Sequence, residues 1–189
     1  MKYSYNDFIS SFTDAKERAA DLIQHFPEQK LNTKPMEKKW SALEILSHLI
    51  QTGNKYKEQL ETLFKSGIED MPQGSEPFEP NLFMRWFISQ VSPQNTRPLP
   101  TVKPFEPLAH EILDKDILLK DFLLLQDFAI KTVTECKDNG LDMDEISIRN
   151  PIVKIVPMSL TACFGVMSAH QKRHFGQIEA LSKKFSSPA

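Results

Sequence analysis

The start of a long helix is marked by residues 40–49, Trp40-Ser41-Ala42-Leu43-Glu44-Ile45-Leu46-Ser47-His48-Leu49. Ser41 and Glu44 have the spacing of a capping box, in which each side chain accepts a hydrogen bond from the other residue's backbone N–H. Trp40 and Ile45 stand where a hydrophobic staple would support that cap. The pattern predicts a helix over residues 41–64, continued by an apolar stripe.

Three other segments place apolar side chains three and four residues apart, as amphipathic helices do. They are residues 5–25, 114–137 and 159–185. Pro27 and Gly140 are the predicted stops of the first and second of these. The segment 114–137 is apolar around much of its circumference, with Ile117 among its apolar positions, so we expect it to be well buried.

Two connections separate the predicted helices. Residues 66–107 hold eight of the thirteen prolines and form a long crossover, within which residues 81–88 are typical of a short apolar helix. Residues 138–157 include side chains with strand propensity, but one short segment does not predict a sheet. Four long helices with one long Pro-rich crossover predict an all-α four-helix bundle, a fold that builds metal sites from side chains on facing helices.

Length, composition and charge limit the kind of protein that this chain can be. The 189 residues are 40% hydrophobic with a net charge of -2, which predicts a single domain spanning residues 1–189. The absence of a long basic run argues against a nucleic-acid or anionic-membrane partner. No apolar stretch reaches the ~20 residues of a membrane span, and the first residues lack a signal-peptide pattern. We therefore expect a cytoplasmic protein.

The two cysteines do not indicate a redox or disulfide role. Cys136 and Cys163 are too few for a disulfide framework and do not form a Cys-x-x-Cys pair. Both fall within apolar helical patterns, which predicts small buried thiols.

A pair of histidines is the best indication of chemistry. His170 and His174 are four residues apart, so a helix places them on one face, one turn apart. His48, two turns into the second predicted helix, is the third candidate ligand. Two imidazoles from one helix and one from another would hold a divalent metal ion and leave a coordination position open. The alternative is that these are ordinary surface or boundary histidines.

Other polar residues near these histidines are candidates for supporting roles. Glu44 and Gln177 could orient the ligand imidazoles, although the capping box already accounts for Glu44. Arg173 is the candidate catalytic residue, binding an anionic group of the substrate, and a solvated cationic face is the alternative. His25 and His110 are candidate fourth ligands, with a surface or loop position as the simpler interpretation.

Two of these stretches resemble signatures of a known family. Residues 40–49 resemble the W-S-x-x-E-x-x-x-H-L start of the second helix in the DinB/YfiT-like superfamily. Residues 169–178 resemble its last-helix signature, H-x-x-R-H-x-x-Q-I. Residues 101–107, and Asn150-Pro151 ahead of the last helix, also look like members of one branch of that superfamily.

The resemblance implies a four-helix bundle in which His48, His170 and His174 hold a divalent ion such as Zn, Ni, Mn or Fe. Relatives include S-transferases that use low-molecular-weight thiols such as bacillithiol, mycothiol-dependent isomerases and metal-dependent hydrolases, and homodimers are common among them. We therefore expect a metal-dependent enzyme that acts on a small-molecule substrate, either an S-transferase, which the resemblance slightly favours, or a hydrolase. The alternative is a non-enzymatic, metal-stabilised or stress-induced dimeric bundle.

Overall fold

The computed structural model describes residues 1–97, 106, 112–151 and 156–186. In these residues the chain forms a short 3-10 turn, Glu28–Lys30, a two-stranded hairpin and five α-helices. The helices are α1 (Tyr5–Gln24), α2 (Ala42–Phe64), α3 (Leu82–Val91), α4 (Lys115–Asp138) and α5 (Leu160–Ser186).

The four long helices form the bundle that the sequence predicts. α1 and α2 each lie between α4 and α5, so α1 and α2 occupy opposite corners. α3 is the short helix of the crossover, and it packs against α5. Gly165 permits this approach, because a Cβ added there would lie 2.9 Å from Ile88 Cδ1 of α3. Gly53 has the same role between α2 and α4, where an added Cβ would clash with the Leu125 side chain.

Local capping explains where the helices begin. Ser41 precedes α2 and forms the predicted capping box with Glu44, and Ser4 forms a second box with Asp7 at the start of α1. Each box satisfies backbone N–H groups that a helix start leaves unpaired. After α4, Gly140 adopts a φ of 59°, a left-handed conformation that suits a glycine at a helix end.

The prediction that α4 is well buried is wrong for part of its surface. Ile117 and Leu124 keep 60% and 56% of their surface exposed. α4 faces α1 and α2, and its buried positions form one stripe, which includes Phe122, Leu125 and Ala129. Apolar residues on all sides of a helix therefore do not show how many other helices pack against it.

The core divides into two apolar clusters along the bundle axis. One contains the amino-terminal part of α1 with the carboxyl-terminal part of α2, and the other contains the remaining parts of those helices. Along α2, α4 and α5, three buried polar residues stand between positions that belong to the two different clusters. We call this set the polar junction: Thr52, Gln126 and Gln171.

The expectation that residues 138–157 contain no sheet is wrong. Strands β1 (Ser147–Arg149) and β2 (Pro157–Ser159) pair antiparallel, with Ile148 opposite Met158. Both of these side chains are buried in the first cluster, and this tertiary packing stabilises a pair of strands too short to persist alone.

None of the helices in the described part of the chain combines the length and the hydropathy that a membrane crossing requires.

Candidate metal centre

Three histidine side chains meet between α2 and α5. His48 is on α2, two turns after the N-cap Ser41, and His170 and His174 are one turn apart on α5. The Nε2 atom of His170 lies 3.2 Å from Nε2 of His48 and 2.9 Å from Nε2 of His174. Within the described residues, these three form a group whose candidate ligand atoms all lie within 4.8 Å of one another.

These distances fit a shared metal ion. Zinc–nitrogen bonds of 2.0–2.1 Å in a tetrahedral arrangement would separate two ligand nitrogens by about 3.3 Å. The two Nε2–Nε2 distances, 3.2 and 2.9 Å, are close to that value. Unprotonated imidazole nitrogens this close repel each other unless a proton or a cation lies between them, so the cluster suits a divalent ion.

The cluster is enclosed on most sides. His48 and His174 are 5% and 6% exposed, while His170 is only half-buried. The Trp40 ring lies 4.8 Å from the His48 ring and 6.3 Å from the His174 ring, nearly parallel to the latter. Trp40 therefore covers two of the imidazoles, and the approach from solvent is on the side of His170.

The setting keeps two of the imidazoles neutral. Burial, followed by the charges of His174, His48 and Arg173, holds the pKa of His170 well below its usual value. Burial and the neighbouring His48 lower the pKa of His174 to about 3, against a smaller opposing effect of its hydrogen bond to Gln177. A neutral imidazole has the nitrogen lone pair that a metal ligand needs, so both residues can bind a metal ion at neutral pH without first losing a proton.

Gln177 orients one ligand, as the sequence predicts. Nδ1 of His174 lies 2.8 Å from Oε1 of Gln177, and an N–H at Nδ1 donates to that carbonyl oxygen. This arrangement places the proton on Nδ1 and leaves Nε2 with its lone pair directed at the other histidines.

A comparison with known sequences identifies the family. The sequence profile of the DinB superfamily matches residues 11–178, a range that includes all three histidines. The chain belongs to the DinB superfamily.

Solved structures give a related result for the fold of this DinB-superfamily chain. YfiT from Bacillus subtilis is described as a probable metal-dependent hydrolase with an unusual four-helix bundle topology. It superposes with a TM-score of 0.59 and 14% identity, over 97% of this chain and 89% of its own. At this identity the likeness shows the fold alone. No curated protein matches the sequence.

The other predicted site residues of this DinB-superfamily chain lie in different surroundings. Glu44 accepts a hydrogen bond from the Ser41 backbone N–H and pairs with Lys34 at 2.9 Å, so helix capping accounts for its position. His25 is exposed at the end of α1, beside Asp21, and does not join the cluster. His110 lies outside the described residues.

The guanidinium of Arg173 contacts backbone carbonyl groups. Its guanidinium donates to the carbonyl oxygens of Ser92, Asn95 and Arg97, all in the turn that follows α3. Its predicted catalytic role stays a prediction. The contacts show that the side chain joins α5 to the turn after α3.

The two cysteines are buried, as the sequence predicts. Burial, with a smaller effect of the Glu135 charge, raises the pKa of the Cys136 thiol to about 12, and burial raises that of Cys163. Neither thiol ionises near neutral pH, so neither is suited to act as a nucleophile.

A surface groove lies away from the histidines. A groove of about 360 Å³ runs between α1 and α5, and its lining includes Ser11, Ser168, Gln171 and Phe175. None of the three histidines lines it. We place the candidate chemistry at the histidine cluster, because the groove brings together no comparable set of donor atoms.

Proposed function

We propose that this protein is a metal-dependent enzyme in which His48, His170 and His174 bind one divalent ion. The observation that carries the proposal is the convergence of three Nε2 atoms in a buried setting with one partly exposed member. A divalent ion bound there would supply a Lewis acid that lowers the pKa of a small nucleophile such as water or a thiol.

The side chains of the protein have separate tasks around that ion. Gln177 selects the tautomer of His174, and Trp40 covers His48 and His174. Excluding water on that side strengthens electrostatic interactions within the site. The partly exposed side of His170 is where a small-molecule substrate would approach. Within the described residues no fourth ligand closes the cluster, which favours a catalytic site over a purely structural one.

We favour hydrolysis, with water as the nucleophile, over transfer of a low-molecular-weight thiol. The buried cysteines leave the described residues without a thiol nucleophile near the histidines, so in either reaction the nucleophile comes from solution. The description of YfiT as a probable metal-dependent hydrolase supports hydrolysis. S-transfer rests on the family resemblance of the sequence motifs.

Metal content tests the ligand assignment. We expect tag-free protein to retain about one divalent ion per chain, as three-histidine sites do. His48→Ala and His174→Ala should each lose it while keeping the helical circular-dichroism spectrum. His25→Ala, which removes an exposed histidine outside the cluster, is the matched control and should keep the ion. A His48→Ala or His174→Ala protein with full metal content would contradict the assignment.

Turnover assays test the reaction class. The metal-loaded protein should be assayed on activated esters and amides, and on electrophiles with and without a low-molecular-weight thiol. Turnover without thiol that disappears in His174→Ala supports the hydrolase. Strict dependence on the thiol supports the S-transferase. Full metal content with no turnover in either assay would favour the non-enzymatic, metal-stabilised bundle.

We also propose that the protein is a homodimer. An exposed apolar patch on α3 supports this, because Leu82, Phe83 and Trp86 keep 76%, 55% and 56% of their surface exposed. Light scattering of the wild-type protein and of Trp86→Lys tests the proposal, which predicts a dimer that the substitution weakens. A monomeric wild-type protein would contradict it.

A further inference from the structure

Arg173 connects α5 to the crossover with a single side chain. Nη1 donates to the carbonyl oxygen of Ser92, at 3.2 Å, and to that of Asn95. Nη2 donates to the carbonyl oxygen of Arg97 at 2.6 Å. The turn formed by residues 92–97 therefore directs three backbone acceptors at one guanidinium.

The chemistry of this contact favours arginine. A guanidinium is planar and presents several N–H donors in a fixed fork, whereas a lysine ammonium is a single point of donation. Ser92 is also the residue that ends α3, where unpaired carbonyls carry partial negative charge that a cation stabilises. Without Arg173, all three carbonyls lose a donor, although that of Ser92 keeps the Asn95 N–H.

The end of α3 reaches α5 through apolar packing, with Val91 buried in the first cluster, but the turn that follows has few other hydrogen bonds among the described residues. Its internal hydrogen bonds among the described residues are local: the Asn95 N–H donates to the Ser92 carbonyl at 3.2 Å, and the Asn95 side chain donates to the Gln90 carbonyl at 2.8 Å. These bonds shape the turn but do not attach it to the bundle. Arg173 supplies that attachment, next in sequence to His174 and three residues after His170.

We infer that Arg173 is a positioning residue that holds residues 92–97 as a wall beside the histidine cluster and so restricts access to it. Arg173 follows His170 by three residues, which places the two side chains at neighbouring positions on one helix face. The turn that Arg173 binds therefore lies on the side of α5 that carries the half-buried His170. The inference about access rests on the proposed metal site, while the attachment of the turn to α5 does not.

A purely electrostatic role for Arg173 predicts the opposite result. A positive charge near the histidines repels a bound cation, so removing that charge alone would slow metal loss. Removing the wall would speed metal loss, because a chelator could reach the ion more easily. Arg173→Lys separates the two effects, since it keeps the charge and loses the fork.

Two measurements on Arg173→Met, Arg173→Lys and the control Lys172→Met test the inference. Lys172 is exposed, adjacent and equally charged, and within the described part of the chain it donates no hydrogen bond to the turn. The first measurement is hydrogen exchange of residues 92–97 in metal-free protein. The loss of charge-assisted hydrogen bonds should raise exchange there about tenfold or more in Arg173→Met. The rise should be smaller in Arg173→Lys and absent in Lys172→Met.

The second measurement is the rate at which a chelator removes the ion from metal-loaded protein. We expect faster removal from both Arg173 variants, with equal metal content at the start and an unchanged rate in Lys172→Met. Unchanged exchange at residues 92–97 in Arg173→Met would overturn the attachment. Slower removal from Arg173→Met with a wild-type rate in Arg173→Lys would overturn the wall. A wild-type protein without metal would instead overturn the proposed function and leave the exchange result standing.

Discussion

The histidine cluster and the polar junction are both groups of buried polar side chains, but they differ in how their polar atoms are paired. In the cluster, imidazole nitrogens face one another, and Gln177 pairs with His174. In the junction, Thr52 Oγ1, both amide atoms of Gln126 and Gln171 Oε1 have no partner among the described residues.

The difference separates two uses of buried polarity. An unpaired buried polar group costs about 1–3 kcal/mol, so the junction lowers stability unless water fills it. In the metal-free protein the cluster also costs stability below about pH 6.5, because charged imidazoles are excluded from it. Its nitrogens, however, converge on one point that a cation can occupy, whereas the junction residues come from three helices and their buried polar atoms have no hydrogen-bond partner within the described part of the chain.

Acid should destabilise the metal-free protein more than any single substitution below. The pKa of His174 falls to about 3 in the folded protein and that of His170 is also lowered, while an unfolded histidine titrates near 6.5. Below pH 6.5 the unfolded chain binds protons that the folded chain excludes, so stability falls as pH falls. The slope is about 1.4 kcal/mol per pH unit for each such histidine.

Urea unfolding of the metal-free protein at pH 7.5, 6.5 and 5.5 measures this slope. His174→Leu removes one titrating group and should flatten the curve. If the free energy of unfolding depends on pH equally in the wild-type and variant proteins, the cluster does not exclude protons. Its histidines would then behave like ordinary surface histidines.

Loss of the Gln177 contact should weaken metal binding. Gln177→Leu removes the acceptor of the His174 Nδ1–H, and loss of such an outer partner costs about tenfold or more in metal affinity. Gln177→Glu keeps an acceptor and should retain the affinity. Competition with a chelating dye measures both, and equal affinities in wild type and Gln177→Leu would show that the tautomer is set by something else.

Replacing a junction residue should stabilise the protein. Gln126→Met keeps the unbranched shape and removes two unpaired polar atoms, so we expect the free energy of unfolding to rise by about 1–2 kcal/mol. Metal content should not change. A fall in stability would show that water or another partner hydrogen-bonds to Gln126. The polar junction would then resemble the histidine cluster in having its polar atoms paired.

The smallest effect should come from the helix cap that precedes the cluster. Ser41→Ala removes the N-cap hydroxyl of α2 and should lower the free energy of unfolding by about 1 kcal/mol. Ser4→Ala removes the equivalent cap of α1 as a comparison. Both variants should bind metal like wild type. A selective loss of affinity in Ser41→Ala would show that fraying of α2 reaches His48.

Features with a local cause could be predicted from the sequence. The long helices begin and end within one residue of their predicted limits, because capping residues, Pro27 and Gly140 act on the adjacent backbone. His170 and His174 share a face for the same reason, since helical spacing places them there. That His48 lies beside these two residues could be predicted only from the family resemblance and from the interpretation of the fold as a helix bundle.

Features that depend on partners distant in sequence could not be predicted. The hairpin requires Ile148 and Met158 to be buried together, and no local pattern shows that. The contacts of Arg173 require the turn after α3 to lie beside α5. Trp40 was expected only to staple the helix start, and its position over His48 and His174 depends on how α2 and α5 pack.

The position of Trp40 gives the protein a built-in optical probe. The chain has two tryptophans, and the other, Trp86, is 56% exposed on α3. Protonated imidazoles and many divalent ions quench a nearby indole, so emission from Trp40 should report what the histidines hold. Emission from Trp86, shifted to longer wavelength by water, would serve as an internal reference. Occupancy of the centre could then be followed in real time without a label.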